Sequence, residues 1–353
     1  GSFLVHDECQ DTRCLTVRGK DSITHYKIQS QDGLFFIVEQ TKFKMLQDLV
    51  YHYTTHQSSG VLVTTLRHPY YVPRGDDEVS RGDIQLTHKI GKGNYGDIWH
   101  GVKGETHVAV KIQNQGLASK SEFLQEATVL SQLDHPKIIH CEGVCSSEEP
   151  AYLLTEFLKF GNLVDYLQKG EGKDVHFLDL VSFGLQVAMG MAYLERQGYI
   201  HCDLAARSVA VGEGKLCKIQ NFERARRASC YKLPPRTSVP VRWTAPEVFA
   251  TNEYTNKADV WAFGVVLVEI ITRGGRPYNH MTNEETLKAV QSGYRMSQPP
   301  SCPRGLYEVM LKCWCAESDS RVRFEALEWQ LEEFFVSQCF EDRTYIAPFQ
   351  TKH

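Results

Sequence analysis

The amino-acid sequence predicts an α+β protein of two domains, and three observations lead to this prediction. The 353 residues are enough for two ordinary domains. Strand-like segments and one helix account for residues 1–68, and new strand-like segments begin at residue 83. After residue 160, apolar residues recur at helical spacing over long segments. We therefore expect a small mixed module followed by a larger domain whose strands precede its helices.

The composition excludes several classes of protein. Lys and Arg total 39 and Asp and Glu total 43, and a net charge of −4 does not suit a bulk nucleic-acid binder. The longest apolar run, residues 260–271, is too short to span a bilayer. The N-terminus has no long apolar region of the kind found in signal peptides. The 11 scattered cysteines indicate free thiols in a reducing compartment.

In the first module, the runs 23–28 and 34–38 predict strands, and Asp32-Gly33 between them predicts a turn. A helix is expected to follow, with apolar residues at helical spacing: Phe43, Leu46, Leu49, Val50 and Tyr53. Because the chain begins directly on an apolar strand, we expect it to start inside a domain. Residues 69–82 have the Pro, Gly and acidic content of a linker.

In the second domain, strands are expected at 84–90, 95–101 and 106–112. A helix is expected at 121–133, with Ser121 as its N-cap and Pro136 beyond its end. Two further helices are indicated by apolar faces that run through residues 185–194 and 324–335. The domain is expected to end at residue 336, which leaves 337–353 as a tail.

A glycine-rich phrase follows the first of these strands. Gly91, Gly93 and Gly96 form G-x-G-x-x-G, followed by Ile98. Alone, this phrase also fits an ordinary hairpin turn. Lys111 then ends the apolar strand V-A-V-K, and Glu126 lies on the next expected helix. A strand lysine paired with a helix glutamate is how protein kinases hold the α- and β-phosphates of ATP.

Four more phrases follow in order, and together they carry a family resemblance. They are HCDLAARS at 201–208, NFE at 221–223, APE at 245–247 and DVWAFG at 259–264. With them, residues 83–336 resemble a protein tyrosine kinase domain. Residues 1–68, through FLV at 3–5 and HYKI at 25–28, resemble an SH2 phosphotyrosine-binding module that lacks its first strand and helix. The order of the two modules resembles that of the Src-related cytoplasmic tyrosine kinases.

The resemblance implies a bilobal protein-kinase fold, ATP as the cofactor and a set of site residues. Asp203 matches the catalytic base, Lys111 and Glu126 match the phosphate-holding pair, and Arg207 belongs to the tyrosine-specific catalytic loop. Thr155 stands at the gatekeeper position. The nucleotide pocket would be formed by Gly91, Gly93, Gly96, Ile98, Ala109, Lys111, Thr155, Glu156 and Leu158. Glu247 and Arg321 match a structural ion pair of the family.

The metal-binding positions depart from the family pattern. Ser208 and Asn221 stand where active relatives have the Asn and Asp that hold magnesium. Mg²⁺ prefers hard, anionic oxygen, so both substitutions are expected to weaken Mg²⁺ or Mn²⁺ binding. A loss of about 4 kcal/mol of transition-state stabilisation would slow phosphoryl transfer about a thousandfold. Glu223, in place of the glycine of this motif, is either a substitute metal ligand or, as we expect, a solvated side chain.

The regulatory positions depart from the family as well. Cys202 replaces the arginine that pairs, in relatives, with a phosphorylated tyrosine of the activation segment, which here is Tyr231. Arg226 is the expected partial substitute for that arginine. Tyr345 in the tail matches an inhibitory docking tyrosine of Src-type kinases, although an ordinary tail tyrosine explains it equally well.

The phosphotyrosine pocket shows the same kind of change. His6 replaces the arginine that would bind phosphate with two parallel hydrogen bonds. A histidine with a pKa of ~6.5 is mostly neutral at pH 7, and losing the charge pair costs roughly 2–5 kcal/mol. We therefore interpret His6 as a packed strand histidine. His25 remains at a second phosphate-contact position.

Three functional hypotheses follow. The first is a Src-related pseudokinase that binds ATP weakly or without metal and acts through signalling proteins. The second is a slow but active tyrosine kinase with Asp203 as base and Glu223 holding a metal. The third, an adaptor that works through its SH2 module, is opposed by His6. No nucleic-acid partner or transmembrane segment is expected. A cytoplasmic location is expected, at the inner membrane surface if a preceding region is lipidated.

Overall fold

The fold is taken from a computed structural model of the chain. It describes residues 2–9, 12–18, 22–31, 33–44, 46–55, 62, 66, 68–69, 78–114, 116, 120–234 and 237–341. The chain divides into two compact units. The first comprises residues 1–99, 110–128 and 143–153, and the second comprises residues 100–109, 129–142 and 154–353.

The N-terminal module is a five-stranded sheet with one helix. The strands are β1 (Ser2–Cys9), β2 (Thr12–Arg18), β3 (Ile23–Gln31), β4 (Leu34–Phe36) and β5 (His68–Pro69), and the helix is α1 (Leu46–Thr55). The spatial order is β4-β3-β2-β1-β5, with β5 parallel to β1. Leu15, Val17, Ile28, Leu49 and Tyr53 are buried in its core. Burial of this apolar side of the sheet and helix accounts for the alternating sequence pattern.

One expectation for this module is wrong in detail, and the structure adds a contact at the expected start of the linker. Phe43 lies outside α1, because its backbone exchanges hydrogen bonds of 2.7 and 2.9 Å with Phe35 in an isolated β-bridge. Its spacing to Leu46 therefore imitates helical periodicity without belonging to the helix. Pro69, expected as the first linker residue, pairs with Phe3 as the last residue of β5. Residues 70–77 of the expected linker lie outside the described residues.

A second five-stranded sheet opens the larger domain. Its strands are β6 (Ile84–Lys92), β7 (Gly96–Lys103), β8 (Thr106–Gln113), β9 (Cys141–Cys145) and β10 (Tyr152–Glu156), in the order β6-β7-β8-β10-β9. The three strands predicted from the sequence match β6, β7 and β8 to within three residues.

The single helix expected at 121–133 is instead two short helices, α2 (Lys120–Phe123) and α3 (Gln125–Leu130). Ser121 lies inside α2 and is not its N-cap. The carbonyl of Lys120 already accepts from the Leu124 amide, so the helical hydrogen bonds start before Ser121. After Leu130 the chain turns, and the amide of Leu133 donates to the carbonyl of Leu130.

Helices dominate the remainder of the domain. They are α4 (Leu163–Lys169), α5 (Phe177–Arg196), α6 (Pro246–Thr251), α7 (Asn256–Ile271), α8 (Asn283–Gln291), α9 (Arg304–Cys313) and α10 (Phe324–Glu341). Short strands pair between them: β11 (Tyr199–Ile200) with β14 (Arg226–Arg227), β12 (Val209–Val211) with β13 (Cys217–Ile219), and β15 (Tyr231–Lys232) with β16 (Glu253–Tyr254). Every residue of α7 from Ala258 onwards is buried, so α7 is the centre of this core. The predicted α+β class is confirmed.

Two features of the helical core bear on earlier expectations. Among the described residues, α5 is the one helix long and apolar enough to cross a membrane, and 72% of its apolar window is buried inside the protein. Such burial is typical of a core helix of a globular domain. The predicted ion pair is confirmed, since Arg321 donates to both carboxylate oxygens of Glu247 at 2.6 and 2.8 Å.

Candidate active site

The glycine-rich phrase forms the hairpin between β6 and β7. The Gly93 amide donates to the Gly96 carbonyl at 2.8 Å and closes the turn. A Cβ atom at Gly96 would overlap the carbonyl oxygen of Ile112, so this close backbone approach allows only glycine. A Cβ at Gly91 would lie 3.9 Å from Ile98, which packs beside the turn. The hairpin thus has the tight, glycine-dependent turn that is typical of a phosphate-covering loop.

Lys111 and Glu126 form a bidentate ion pair. The Lys111 ammonium lies 2.9 and 2.7 Å from the two carboxylate oxygens of Glu126. These two contacts link β8 to α3. The side chains are 14% and 3% exposed, so water screens the pair little. Strand alternation places Ala109 on the same face of β8 as Lys111. This pair fixes the lysine ammonium at one point, as the binding of phosphate oxygens requires.

The segment from Thr155 to Leu158 comprises the last two residues of strand β10 and the two residues after it. Thr155 and Leu158 are buried. The Glu156 carboxylate accepts from the Lys218 ammonium at 2.6 and 2.9 Å and from the His140 amide at 2.7 Å. Its side chain therefore links β10 to β13 and to the residue before β9. The sequence did not reveal this contact, since Lys218 is distant in the chain.

The catalytic loop centres on Asp203. Its carboxylate accepts from the Arg207 guanidinium at 2.5 Å. That guanidinium also lies 4.8 Å from the centroid of the Trp243 ring, in cation–π geometry. Arg207 is thereby held between the ring and the carboxylate. The arrangement orients Asp203, which is what a proton acceptor for a substrate hydroxyl requires.

His201 holds the backbone of the same loop. Its Nδ1 accepts from the Asp203 amide at 3.2 Å, and its Nε2 lies 3.1 Å from the Gln220 carbonyl. A carbonyl can only accept, so the imidazole is the tautomer with its proton on Nε2. Complete burial lowers the pKa of His201, which keeps the ring neutral. The edge of Phe222 packs against it.

Two buried carboxylates of α7 accept hydrogen bonds from the backbone of the catalytic loop. The sequence had assigned neither of them a role there. Asp259 accepts from the amides of His201 and Cys202 at 2.6 and 3.0 Å. Glu269 accepts from the Ala206 amide and from the Trp243 indole N–H, both at 2.9 Å. Burial raises the pKa of each carboxyl to about 7, against the opposing effect of these hydrogen bonds. The available signal for Glu269 was a lone carboxylate in the otherwise apolar run 260–271.

Ser208 and Asn221 stand at the predicted metal positions. The Ser208 hydroxyl donates to the main-chain carbonyl of Asp203 at 2.8 Å, and the residue is 0% exposed. Asn221 has φ 67° and ψ 57°, the left-handed conformation that asparagine tolerates well. One residue is thus turned into the core, and the other offers a neutral amide.

Glu223 does not have the solvated side chain expected from the sequence. It is 7% exposed, because residues Phe222–Arg224 form one turn of 3-10 helix whose Phe222 and Glu223 face inward. Within the described part of the chain, no three His, Cys, Asp or Glu side chains group as metal ligands. Magnesium requires several hard and preferably anionic oxygens. Ser208 and Asn221 supply a buried hydroxyl and a neutral amide at these two positions, and neither carries a negative charge.

Cys202 and the activation segment follow a similar pattern. Cys202 is buried in the left-handed region at φ 63°, and burial raises the pKa of its thiol well above the usual value. It therefore offers no charge to a phosphate. Arg226 lies 5.1 Å from the centroid of the Tyr231 ring and donates to the carbonyls of Glu223 and Ala225. Tyr345 lies outside the described residues.

In the N-terminal module, the two expected phosphate-contact residues lie on separate strands. His6 is on β1, where its backbone pairs with Cys14 of β2, and its side chain lies outside the described residues. The Nδ1 atom of His25 on β3 lies 2.7 Å from the Thr16 hydroxyl on β2. A hydrogen-bonded His25 side chain at the sheet surface remains compatible with an anion contact.

Comparison with known proteins agrees with this geometry. Residues 84–331 match the protein tyrosine and serine/threonine kinase family, and residues 1–53 match the SH2 domain family. Tyrosine-protein kinase SRK3 of Spongilla lacustris is 41% identical over 319 residues, which cover 87% of this chain and 95% of that protein.

Two further relatives have the same character. Tyrosine-protein kinase SRK2 of Spongilla lacustris is 40% identical over 336 residues, 91% of this chain and 92% of that protein. Human tyrosine-protein kinase FRK is 39% identical over 356 residues, 95% of this chain and 70% of that protein. The chain therefore belongs to the protein tyrosine kinase family and, with its SH2 and kinase domains, to the Src-related non-receptor group.

Proposed function

We propose that this chain is a catalytically impaired member of its family, a pseudokinase that binds nucleotide weakly and acts through protein interactions. The observation that carries the proposal is that the Ser208 hydroxyl is already used in a hydrogen bond within the protein. Its hydroxyl donates to the Asp203 carbonyl at 2.8 Å from a fully buried position. Kinases of this family transfer the γ-phosphate of ATP with the help of divalent metal. Here neither metal position supplies an anionic oxygen.

Nucleotide binding is supported separately by the Lys111–Glu126 pair. The glutamate fixes an ammonium that matches the ligand of the α- and β-phosphates in the family. The glycine hairpin adds backbone close to the same phosphates. Without a metal to neutralise the triphosphate, this lysine must balance most of its charge. We therefore expect ATP to bind weakly and with little dependence on Mg²⁺.

The regulatory and interaction roles follow from the same pattern. Tyr231 is proposed as a phosphorylation site with Arg226 as its cationic neighbour, and Tyr345 as a second site. The proposed boundaries are a module at 1–68, a linker at 69–82, a kinase domain at 83–336 and a tail. Phosphotyrosine peptides are expected to bind weakly because of His6, and the partners to be cytoplasmic signalling proteins. Attachment to the inner membrane surface would depend on a lipidated preceding region.

A slow but active tyrosine kinase is the alternative, and one observation favours it. Asp203 is held by Arg207 at 2.5 Å, and its amide is held by the neutral ring of His201. The hydrogen bonds that position Asp203 as a catalytic base are thus present, although the residues at the metal positions are changed. Residual phosphoryl transfer would then use Asp203 to accept the proton of a substrate tyrosine.

A kinase assay with two metals separates these functions. The full chain is incubated with Mg-ATP, and separately with Mn-ATP, and a generic tyrosine peptide, and phosphotyrosine is measured. We expect no phosphotyrosine above that of an Asp203→Asn variant. Labelling that is present in the wild type and absent from D203N would establish the slow kinase. Thermal shift with ATP, with and without EDTA, then tests nucleotide binding, and a Lys111→Met variant serves as the non-binding control.

A further inference from the structure

We propose that His100 and His107, at the tip of the β7–β8 hairpin, form a binding site for a divalent transition-metal ion of the copper and nickel class. Nε2 of His100 lies 2.9 Å from Nδ1 of His107. The two rings are nearly parallel, with centroids 5.1 Å apart. This inference is independent of the proposed function, because neither histidine belongs to the residues assigned to nucleotide or phosphoryl transfer.

The spacing of the two nitrogens suits particular metals. Two nitrogens bonded at about 2.0–2.1 Å to one ion are about 2.9 Å apart in adjacent square-planar positions and about 3.3 Å apart in tetrahedral ones. Square-planar coordination by nitrogen is typical of Cu²⁺ and Ni²⁺. The observed 2.9 Å equals the square-planar spacing. Because the ring centroids are 5.1 Å apart, the two nitrogens face each other, and the exposed His107 ring must turn before both lone pairs meet at one ion. Zn²⁺ would require the two rings to separate by about 0.4 Å.

The β7–β8 turn and Phe157 position the His100 ring, and the exposed side of the pair leaves room for further ligands. β7 and β8 are neighbours in the sheet and are joined by a turn at Gly104, with φ 62°. The edge of Phe157 packs on the His100 ring, with centroids 4.6 Å apart. His107 is exposed and His100 is half-buried. Water can therefore complete the coordination sphere on the solvent side.

Metal binding needs a turn of the His107 ring and a proton shift within one of the two rings. In the hydrogen-bonded pair, one imidazole donates its N–H to the bare nitrogen of the other. When a metal binds, the donating ring carries that proton on its other nitrogen instead. Both facing nitrogens then supply a lone pair to the ion, and no net proton leaves. Mg²⁺ is not expected to bind, since it selects oxygen ligands.

Titration of the full chain with CuSO₄ tests the site. Electron paramagnetic resonance of the first equivalent should show coupling to two imidazole nitrogens in the wild type and to one in His107→Gln. The single variants H100Q and H107Q should lose about tenfold or more in affinity, since even residues that only support a ligand are worth that much. Calorimetry with NiCl₂ should count one site fewer in H100Q/H107Q than in the wild type.

The matched control is His88→Gln. His88 is an exposed histidine of β6 whose Nδ1 lies 3.0 Å from the Thr87 hydroxyl, and it should leave both readouts unchanged. Equal stoichiometry and equal spectra for the wild type and H100Q/H107Q would overturn the proposal, as would an equal loss in H88Q. Thermal unfolding without metal checks that each variant is folded. The single variant at exposed His107 keeps the test valid if the double variant is not.

Discussion

The Lys111–Glu126 pair and the loop from Asp203 to Ser208 both belong to the kinase-like chemistry of this chain, yet they differ in what they retain. The pair keeps both charges and a bidentate geometry at 2.7 and 2.9 Å. The loop keeps its backbone supports, whereas Ser208 and Asn221 have neutral side chains at the metal positions. The difference lies in charge, since both regions are well ordered by hydrogen bonds.

A physical reason for this difference is the way each group is tied to folding. Removing one partner of a buried ion pair leaves an uncompensated charge and costs about 3–5 kcal/mol. Side chains at metal-binding positions impose no such cost when other groups of the protein satisfy their hydrogen bonds. The Ser208 hydroxyl is satisfied by the Asp203 carbonyl, and Asn221 adopts a left-handed conformation that suits it. Neutral residues at the two metal positions therefore cost the fold little.

Restoring the metal ligands is the strongest way to test this comparison. In Ser208→Asn/Asn221→Asp, an amide and a carboxylate return to the two positions. We expect phosphotyrosine formation with Mg-ATP to rise about a thousandfold, equivalent to about 4 kcal/mol of transition-state stabilisation. Steady-state assays of the full chain measure this rate. The gain should vanish when Asp203→Asn is added, and no gain in the double variant would contradict the assignment of these positions.

Breaking the retained pair tests the other side of the comparison. Lys111→Met removes the cationic partner of the buried Glu126 carboxylate, so the free energy of unfolding should fall by about 3 kcal/mol. Urea denaturation measures this difference. The matched control is Lys169→Met, which breaks the Lys169–Asp165 pair at 2.9 Å, where the lysine is 76% exposed. We expect that control to change stability by about 0.5 kcal/mol or less. Equal effects would show that burial does not distinguish the two pairs.

The phosphotyrosine module extends the comparison to a third region. In His6→Arg, a guanidinium returns to the strand position that binds phosphate in relatives. Affinity for a phosphotyrosine peptide should increase about thirtyfold, equivalent to about 2 kcal/mol. Fluorescence anisotropy with the phosphorylated peptide measures the change, and the unphosphorylated peptide is the control. Tight binding by the wild type would show that His6 already suffices.

The hydrogen bonds that Glu269 accepts from the catalytic loop and from Trp243 give the smallest expected effect. Burial raises the pKa of Glu269 to about 7, above its ordinary value of 4.5. Its contribution to stability is therefore full below about pH 4.5 and is lost as the pH rises through about 7. In Glu269→Gln this titration is absent. The free energy of unfolding of the wild type minus that of E269Q should fall by about 1 kcal/mol between pH 6 and pH 8. A difference that does not vary with pH would contradict the raised pKa.

Local patterns explain which features could be predicted from the sequence. Periodicity and turn residues predicted β6, β7, β8 and the long helices, because these patterns report burial over a few consecutive residues. The same reasoning misplaced Phe43 and Ser121. Phe43 had a helical spacing by coincidence, and Ser121 follows a lysine that already starts the helix. Residues near element ends are decided by hydrogen bonds that spacing does not encode.

The site divides in the same way. Motif order alone predicted site roles for Asp203, Lys111 and Glu126 and neutral residues at the metal positions, because residue type and chain order are properties of the sequence. The inward turn of Glu223 and the hydrogen bond of the Ser208 hydroxyl depend on how the loops pack.

Contacts between residues distant in the chain were decided only by the tertiary structure. The hydrogen bonds from the catalytic loop to Asp259 and Glu269 join residues that lie more than 50 positions apart. The brace between Glu156 and Lys218 is of the same kind. The sequence by itself determined the family, the fold class and the chemical character of each position. The tertiary structure decided which of these side chains are buried, paired or exposed, because long-range packing sets the surroundings of every group.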